Sequence, residues 1–203
     1  MFITFEGIEG SGKSTQCRLL KEYLESKGRK VTVTREPGWG AMGKVIRHLI
    51  LDEKELDIHP LTELYLFCAD RVQHVKDFIT PRLKDGEVVI CDRYFDSTIV
   101  YQGYGRQLDL YTVKKLAEAS TLDLVPDITF LLNLPVREGL MRLDLRDETT
   151  NRMDEEPLEF HEMIRQGYIS EATLNTNRIK IINASHEADE VQKQIRSLLD
   201  SIL

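Results

Sequence analysis

Positive charge is in short supply. The chain has 27 Lys and Arg against 34 Asp and Glu, a net charge of -7. That balance argues against a nucleic-acid binder, whose surface would carry a basic face. It leaves room for a local cationic pocket that takes a small anion. No apolar run approaches the roughly 20 residues of a membrane span, so no membrane partner is expected. Cysteine is scarce, with only Cys17, Cys68 and Cys91. Three scattered cysteines without metal-ligand spacing argue against a disulfide framework or a zinc site. They read as reduced residues in or near the core of a cytoplasmic protein. There is no internal repeat, low-complexity tract or linker. The first predicted strand begins at Phe2, so no signal peptide is expected. What remains is ordinary for a folded domain: 41% hydrophobic and 30% charged over 203 residues, enough for one domain with a full core.

The stretch Gly7-Ile8-Glu9-Gly10-Ser11-Gly12-Lys13-Ser14 fits G-x-x-x-x-G-K-[ST], the phosphate-binding loop. Its flanks fit too. Phe2-Ile3-Thr4-Phe5 reads as a buried strand, and Cys17, Leu19, Leu20, Tyr23 and Leu24 recur at helical spacing up to Gly28. Glycines let backbone N–H groups converge on phosphate oxygens, and the helix N-terminus adds partial positive charge. Lys13 is then placed to reach the β- and γ-phosphates, and the Ser14 hydroxyl to hold Mg²⁺.

Further strands are predicted at Lys30–Thr34, Glu87–Cys91, Asp127–Leu132 and Ile179–Ile182. Helical patterns lie between them: one around Val45, Ile46, Leu49 and Ile50, and one from Pro60 with a bend near Pro81. Others cover Leu110–Ser120, Val136–Leu145, Leu158–Ala172 and Ala188–Ile202. This alternation implies an α/β fold of the P-loop NTPase type: three layers, a central parallel sheet and helices on both faces. Periodicity stops from Arg146 to Glu156, where a charged stretch predicts an exposed, mobile loop. The simplest organisation is a single domain, 1–203, with a lid at about 142–156.

Open α/β sheets bind ligands at the C-terminal ends of their strands. Arg35 and Arg93 sit there, and Asp92-Arg93 is the sharper signal. An Asp ending a buried strand beside a phosphate loop can organise Mg²⁺ water, and its neighbour can bridge phosphates. Phe67 and Arg71, at i,i+4 spacing, share a helix face. A ring that stacks on a base with a guanidinium one turn on is a plausible base-binding pair, against the plainer reading of a core Phe and a surface Arg.

These motifs together resemble bacterial thymidylate kinases. The matching stretches run from Phe5 to Gln16, then Arg35-Glu36-Pro37-Gly38, Leu66-Phe67-Cys68-Ala69-Asp70-Arg71 and Asp92-Arg93-Tyr94. Ser97-Thr98-Ile99-Val100-Tyr101-Gln102-Gly103 and Pro126–Leu132 complete the set in the family's order. The resemblance implies transfer of the γ-phosphate of ATP to dTMP with Mg²⁺, on the route to dTTP, in a cytoplasmic homodimer. It implies that Gly7 to Thr15 cradle ATP, with Ile8, Ser11 and Gly12 among them, and that Arg142 assists. Ser14 and Asp92 would hold the metal. Phe67 would stack on thymine and Arg71 bond its edge, with Thr98 and Gln102 near base and sugar. Tyr101 would fill the space of a ribose 2′-OH. Arg47 and Arg93 would hold the dTMP phosphate, Glu9 would lie between the substrates, and adenine would lie over Asn183-Ala184-Ser185.

Some thymidylate kinases carry an arginine in the phosphate loop directly after its acidic residue; here Gly10 occupies that position. The transition-state charge is then expected from Lys13, Arg93 and the lid arginines Arg146 and Arg152. Trp39 and Gly40 depart from the family's usual Gly-Thr, and Trp39 reads either as a ring covering a loop or as a wall of the acceptor pocket. Two other readings stay open. One is another pyrimidine monophosphate kinase, acting on UMP, CMP or dUMP. The other is a P-loop switch ATPase, although neither a guanine-reading Asn-Lys-x-Asp nor a second lysine early in the loop is present.

Overall fold

The five apolar runs form five strands: β1 (Phe2–Glu6), β2 (Val31–Arg35), β3 (Val88–Asp92), β4 (Ile128–Asn133) and β5 (Ile179–Asn183). They make one wholly parallel sheet in the order β2-β3-β1-β4-β5, in a computed structural model that describes residues 1–145 and 150–201. Side chains alternate across a strand, and two cores result. Ile3, Phe5, Val88 and Ile90 meet Cys17, Leu20 and Leu24 of α1 (Lys13–Ser26) on one face. Phe2, Val89 and Cys91 meet Val75, Ile79 and Ala117 on the other. Helices therefore cover both faces, as the strand–helix alternation requires.

The remaining helices are α2 (Gly40–Arg47), α3 (Pro60–His74), α4 (Thr80–Lys84), α5 (Phe95–Thr98), α6 (Leu110–Ala119), α7 (Val136–Asp144), α8 (Leu158–Leu174) and α9 (Ala188–Asp200). Three features differ from the sequence reading. The break between α3 and α4 is a π-helical turn at Val75–Ile79, ahead of Pro81, which opens α4. The segment after Tyr94 is helical: α5 runs into a π-helical stretch, Ile99–Gly105. Its buried members include polar Asp96, Thr98 and Gln102, so no apolar stripe marks it. The segment expected to be exposed and mobile is anchored where it is described. Met153 is buried, and the Arg152 backbone N–H donates to the Leu51 carbonyl at 2.9 Å. Arg146 lies outside the described residues.

One close approach fixes the phosphate loop. Gly10 has φ +71°, a left-handed conformation that favours glycine. A Cβ on Gly10 would sit 2.1 Å from the Gly139 carbonyl oxygen of α7, and one on Gly139 would sit 2.6 Å from the Glu9 carbonyl oxygen. Backbone touches backbone there, and a side chain fits on neither partner.

Glu6 ends β1 beneath that loop and is fully buried. Its carboxylate accepts from the Tyr94 N–H at 2.7 Å, the Ser97 hydroxyl at 2.6 Å and the Tyr168 hydroxyl at 3.0 Å. Burial and the Asp96 carboxylate push its pKa up to about 7, against the hydrogen bond from Ser97 and the charge of Arg93. The folded chain therefore holds a proton that the unfolded chain releases near pH 4.5, and stability falls as pH rises from there to about 7. Glu6→Gln removes the titration and keeps an acceptor. Its stability relative to the parent should improve between pH 5 and pH 8 by on the order of 1–3 kcal/mol. Urea unfolding at both pH values measures this; a pH-independent difference would show Glu6 ionised throughout.

Candidate active site

A cleft of about 760 Å³ lies over the C-terminal ends of β1, β2 and β3. Glu9, Gly10, Gly12, Lys13 and Ser14 line it on one side, and Phe67, Arg71, Thr98, Tyr101 and Gln102 belong to the same lining. At the loop, the Lys13 ammonium donates to the carbonyls of Gly7 at 3.0 Å and Ile8 at 2.8 Å. Burial, and then the Arg93 charge, lower its pKa to about 8. The Ser14 hydroxyl donates to the Asp92 carboxylate at 2.6 Å. A hydroxyl and a carboxylate are hard oxygen donors, and their meeting beside the loop suits Mg²⁺. Gly7, Ile8 and Ser11 form the underside of the loop rather than the cleft wall, and Thr15 is exposed on α1.

Arg93 occupies the turn after β3. Its φ is +70°, a conformation that costs a residue with a side chain on the order of 1–3 kcal/mol. Its N–H donates to the Phe5 carbonyl at 2.9 Å, and its own carbonyl accepts from the Cys91 thiol at 3.0 Å. The strained backbone turns the guanidinium to Glu9, at 2.8 Å. Tyr101 donates its hydroxyl to the same Glu9 oxygen. Burial opposes the charge on Glu9, but Arg93, His161 and Lys13 outweigh it and hold the carboxyl well below its usual range.

At the other end, Phe67 is half-buried on α3, and Arg71 is almost wholly enclosed one turn on. Arg71 donates to Glu36 at 2.8 Å, Thr98 at 3.0 Å and Ser120 at 3.2 Å. Glu36 also bonds His74 at 2.9 Å, whose second ring nitrogen meets Thr34 at 2.8 Å. Glu36, His74 and Cys91 cluster tightly, yet both His74 nitrogens already have protein partners, so the cluster is a brace for Arg71. Gln102 donates to the buried Glu63 at 2.9 Å. Arg47 lines the cleft, and burial together with the nearby Arg35 guanidinium lowers its pKa. A bound anion would relieve that crowding of like charge.

The predicted lid arginines separate. Arg142, on α7, donates to the Ala184 carbonyl at 3.2 Å and to Glu138 at 2.6 Å, and Glu138 accepts from Ser185 at 3.0 Å. It thus meets the Asn183-Ala184-Ser185 segment expected near adenine. Arg152 does not line the cleft. It pairs with Glu63 and donates to the Ile50 carbonyl at 3.0 Å. Trp39 is not a wall of the cleft: its ring packs on the end of α3, stacking on His74 at 5.6 Å and lying 4.9 Å from Phe78. Cys17, Cys68 and Cys91 are free and buried. The sequence reading gave no role to Glu36, Glu63, Asp154, His161 or Tyr168. Glu36 alone had a signal, its place in the Arg35-Glu36-Pro37-Gly38 loop.

A family profile described as thymidylate kinase matches residues 5–195. The chain is 46% identical to the thymidylate kinase of Desulfovibrio desulfuricans, covering 100% of this chain and 96% of that protein. It is 45% identical to that of Oleidesulfovibrio alaskensis, over 100% and 98%. The crystal structure of thymidylate kinase from Ehrlichia chaffeensis superposes with a TM-score of 0.79 at 35% identity, over 98% of each chain. With the phosphate loop, the Asp92-Arg93 turn and the Phe67–Arg71 helix meeting in one cleft, the chain belongs to the thymidylate kinase family.

Proposed function

We propose that the chain transfers the γ-phosphoryl group of ATP to dTMP, giving ADP and dTDP on the route to dTTP. The observation that carries this is a single cleft with a phosphate loop at one side and Phe67 beside an enclosed Arg71 in the same lining. Gly7 to Thr15 bind the ATP phosphates, with Arg142 beside the adenine segment. Phe67 stacks on thymine, Arg71 and Thr98 read its edge, and Gln102 and Tyr101 lie against the sugar. Arg47 and Arg93 receive the acceptor phosphate, and Glu9 spaces the two substrates.

Phosphoryl transfer asks mainly for positioning and charge stabilisation. An acceptor phosphate oxygen attacks the γ-phosphorus in line, the bond to the β-bridging oxygen breaks, and ADP leaves. A phosphate monoester is largely dianionic at neutral pH, so no general base is required. Lys13 exchanges its loop carbonyls for phosphate oxygens, a move that supplies the negative partners its buried ammonium lacks. Ser14 and Asp92 would hold Mg²⁺, and the bound ion would supply positive charge to neutralise the phosphates. Segment 142–156 serves as the lid of this single domain, and Arg146 and Arg152 supply transition-state charge from it. For Arg152, closure means leaving Glu63, whose other partners, Gln102 and Arg106, keep that carboxylate satisfied. We further infer a cytoplasmic homodimer. Among the described residues no helix is long and apolar enough to cross a membrane. Helix α2 leaves Met42 and Val45 exposed at i,i+3 spacing, available to a second copy.

Three measurements test this reading. A coupled ADP-release assay across dTMP, dUMP, UMP, CMP, AMP and GMP should give the highest kcat/KM with dTMP. Preference for UMP or CMP would reassign the acceptor, and ADP release that ignores the acceptor would indicate a switch ATPase. Phe67→Ala should weaken dTMP about ten- to a hundredfold, the value of one stacked base, with ATP affinity nearly unchanged. Equal losses for both substrates would point to a core cavity instead. Arg146→Ala and Arg152→Ala, made singly, should include at least one variant that loses turnover about a hundredfold or more, with dTMP titrating as in the parent. If both keep turnover within a few-fold, the lid is not the source of the charge.

A further inference from the structure

Helix α8 presents two polar side chains to the cleft from behind, seven residues apart and so on one helix face. Tyr168 and His161 are both buried. Neither lines the cleft. The Tyr168 hydroxyl lies 3.1 Å from Arg93 Nη1, 2.8 Å from Ser97 Oγ and 3.0 Å from Glu6 Oε2. A hydroxyl has one hydrogen and two acceptor sites. Donating to Glu6 Oε2, it turns a lone pair to Arg93. The same Nη1 reaches the Gly7 carbonyl at 3.1 Å and Ser97 at 3.3 Å. Three acceptors thus fix one end of the guanidinium and aim Nη2 at Glu9.

Glu9 has the complementary arrangement. Its Oε1 takes both Arg93 and Tyr101, whereas its Oε2 has no hydrogen-bond partner among the described residues. The nearest cationic-capable group on that side is His161, with Nδ1 3.6 Å from Oε2. The His161 Nε2 is likewise buried without a partner among the described residues. The contact of His161 with Glu9, and the carboxylate of Asp154 beyond it, raise its pKa against the effect of burial. The ring is therefore inclined to carry charge toward Glu9.

We propose that Tyr168 and His161 are positioning residues that aim the Arg93–Glu9 pair at the acceptor nucleotide. Tyr168 sets the guanidinium and His161 the free carboxylate oxygen. Helix α8, which directly follows the lid segment, thereby sets how well dTMP is received. This rests on the reading of Arg93 and Glu9 as acceptor-binding residues.

Steady-state kinetics of the full chain test it, in Tyr168→Phe, His161→Phe, His161→Asn and the control Tyr104→Phe. Tyr104 also gives a phenol hydrogen bond to α8, at 3.0 Å to Glu171, but lies outside the cleft lining. Tyr168→Phe and His161→Phe should each raise KM for dTMP about fivefold or more, with KM for ATP within about twofold. His161→Asn, which keeps an N–H donor near the Nδ1 position, should recover most of that loss. Tyr104→Phe should shift Tm and leave both KM values in place. KM does not depend on the fraction of folded protein, so partial misfolding leaves the comparison intact. The proposal is overturned if KM for dTMP stays within twofold in both Phe variants, if both KM values rise together, or if Tyr104→Phe reproduces the effect. A parent without dTMP-dependent turnover would fail the functional reading first and take this inference with it.

Discussion

The ion pair between Arg93 and Glu9 ties the turn after β3 to the loop after β1, across 84 residues of sequence. Each partner depends on the other. Burial alone would push the Glu9 carboxyl toward its neutral form, and Arg93 keeps it charged. Arg93 in turn holds a left-handed backbone that only a surrounding lattice of bonds sustains. A buried pair is weak evidence for stability, because desolvation consumes much of the attraction. Its return here is geometric: two loops from adjacent strands are held at one spacing. Lys13 shares the same field and feels Arg93 as its main opposing charge. Three ionisable groups therefore lie in one electrostatic unit, and a negatively charged ligand is the partner that unit lacks.

The end of the cleft around Phe67 and Arg71 is built on the same plan with different residues. Arg71 is enclosed, and two of the three contacts made by its guanidinium are themselves braced. Glu36 is held by His74, His74 by Thr34, and Ser120 by the Ala117 carbonyl. Glu63 collects Gln102 and Arg106 from the stretch after α5 and Arg152 from the segment before α8. Fully satisfied polar networks of this kind rigidify the side chains they contain. The cleft wall is thus set before a ligand arrives.

The sheet and the phosphate loop were legible in the sequence because their signals are local. Apolar runs mark the central strands β1, β3 and β4, buried on both faces, shorter mixed patterns mark the edge strands β2 and β5, and the glycine spacing marks the loop. The helix after Tyr94 was not legible. Its inward side chains include Asp96, Thr98 and Gln102, whose partners lie far away in sequence. Arg152 looked like a charge on an exposed loop because Glu63, which buries it, is 89 residues upstream. Tyr168 and His161 fit an ordinary amphipathic helix, and only the fold reveals that their polar atoms face charged groups. Trp39 had two readings of equal weight; its stack on His74 sets aside the pocket wall and places the ring on a helix end.

The contact between Gly10 and Gly139 has a consequence for how the family's sequences can change. A cationic side chain at position 10 needs the volume that the Gly139 carbonyl occupies, and a side chain at 139 would strike the loop in return. Neither step is open alone. Placing a charged side chain at position 10 requires α7 to withdraw in concert with the new residue. A chain built with this glycine pair has no room for a side chain, charged or not, at position 10 of the loop.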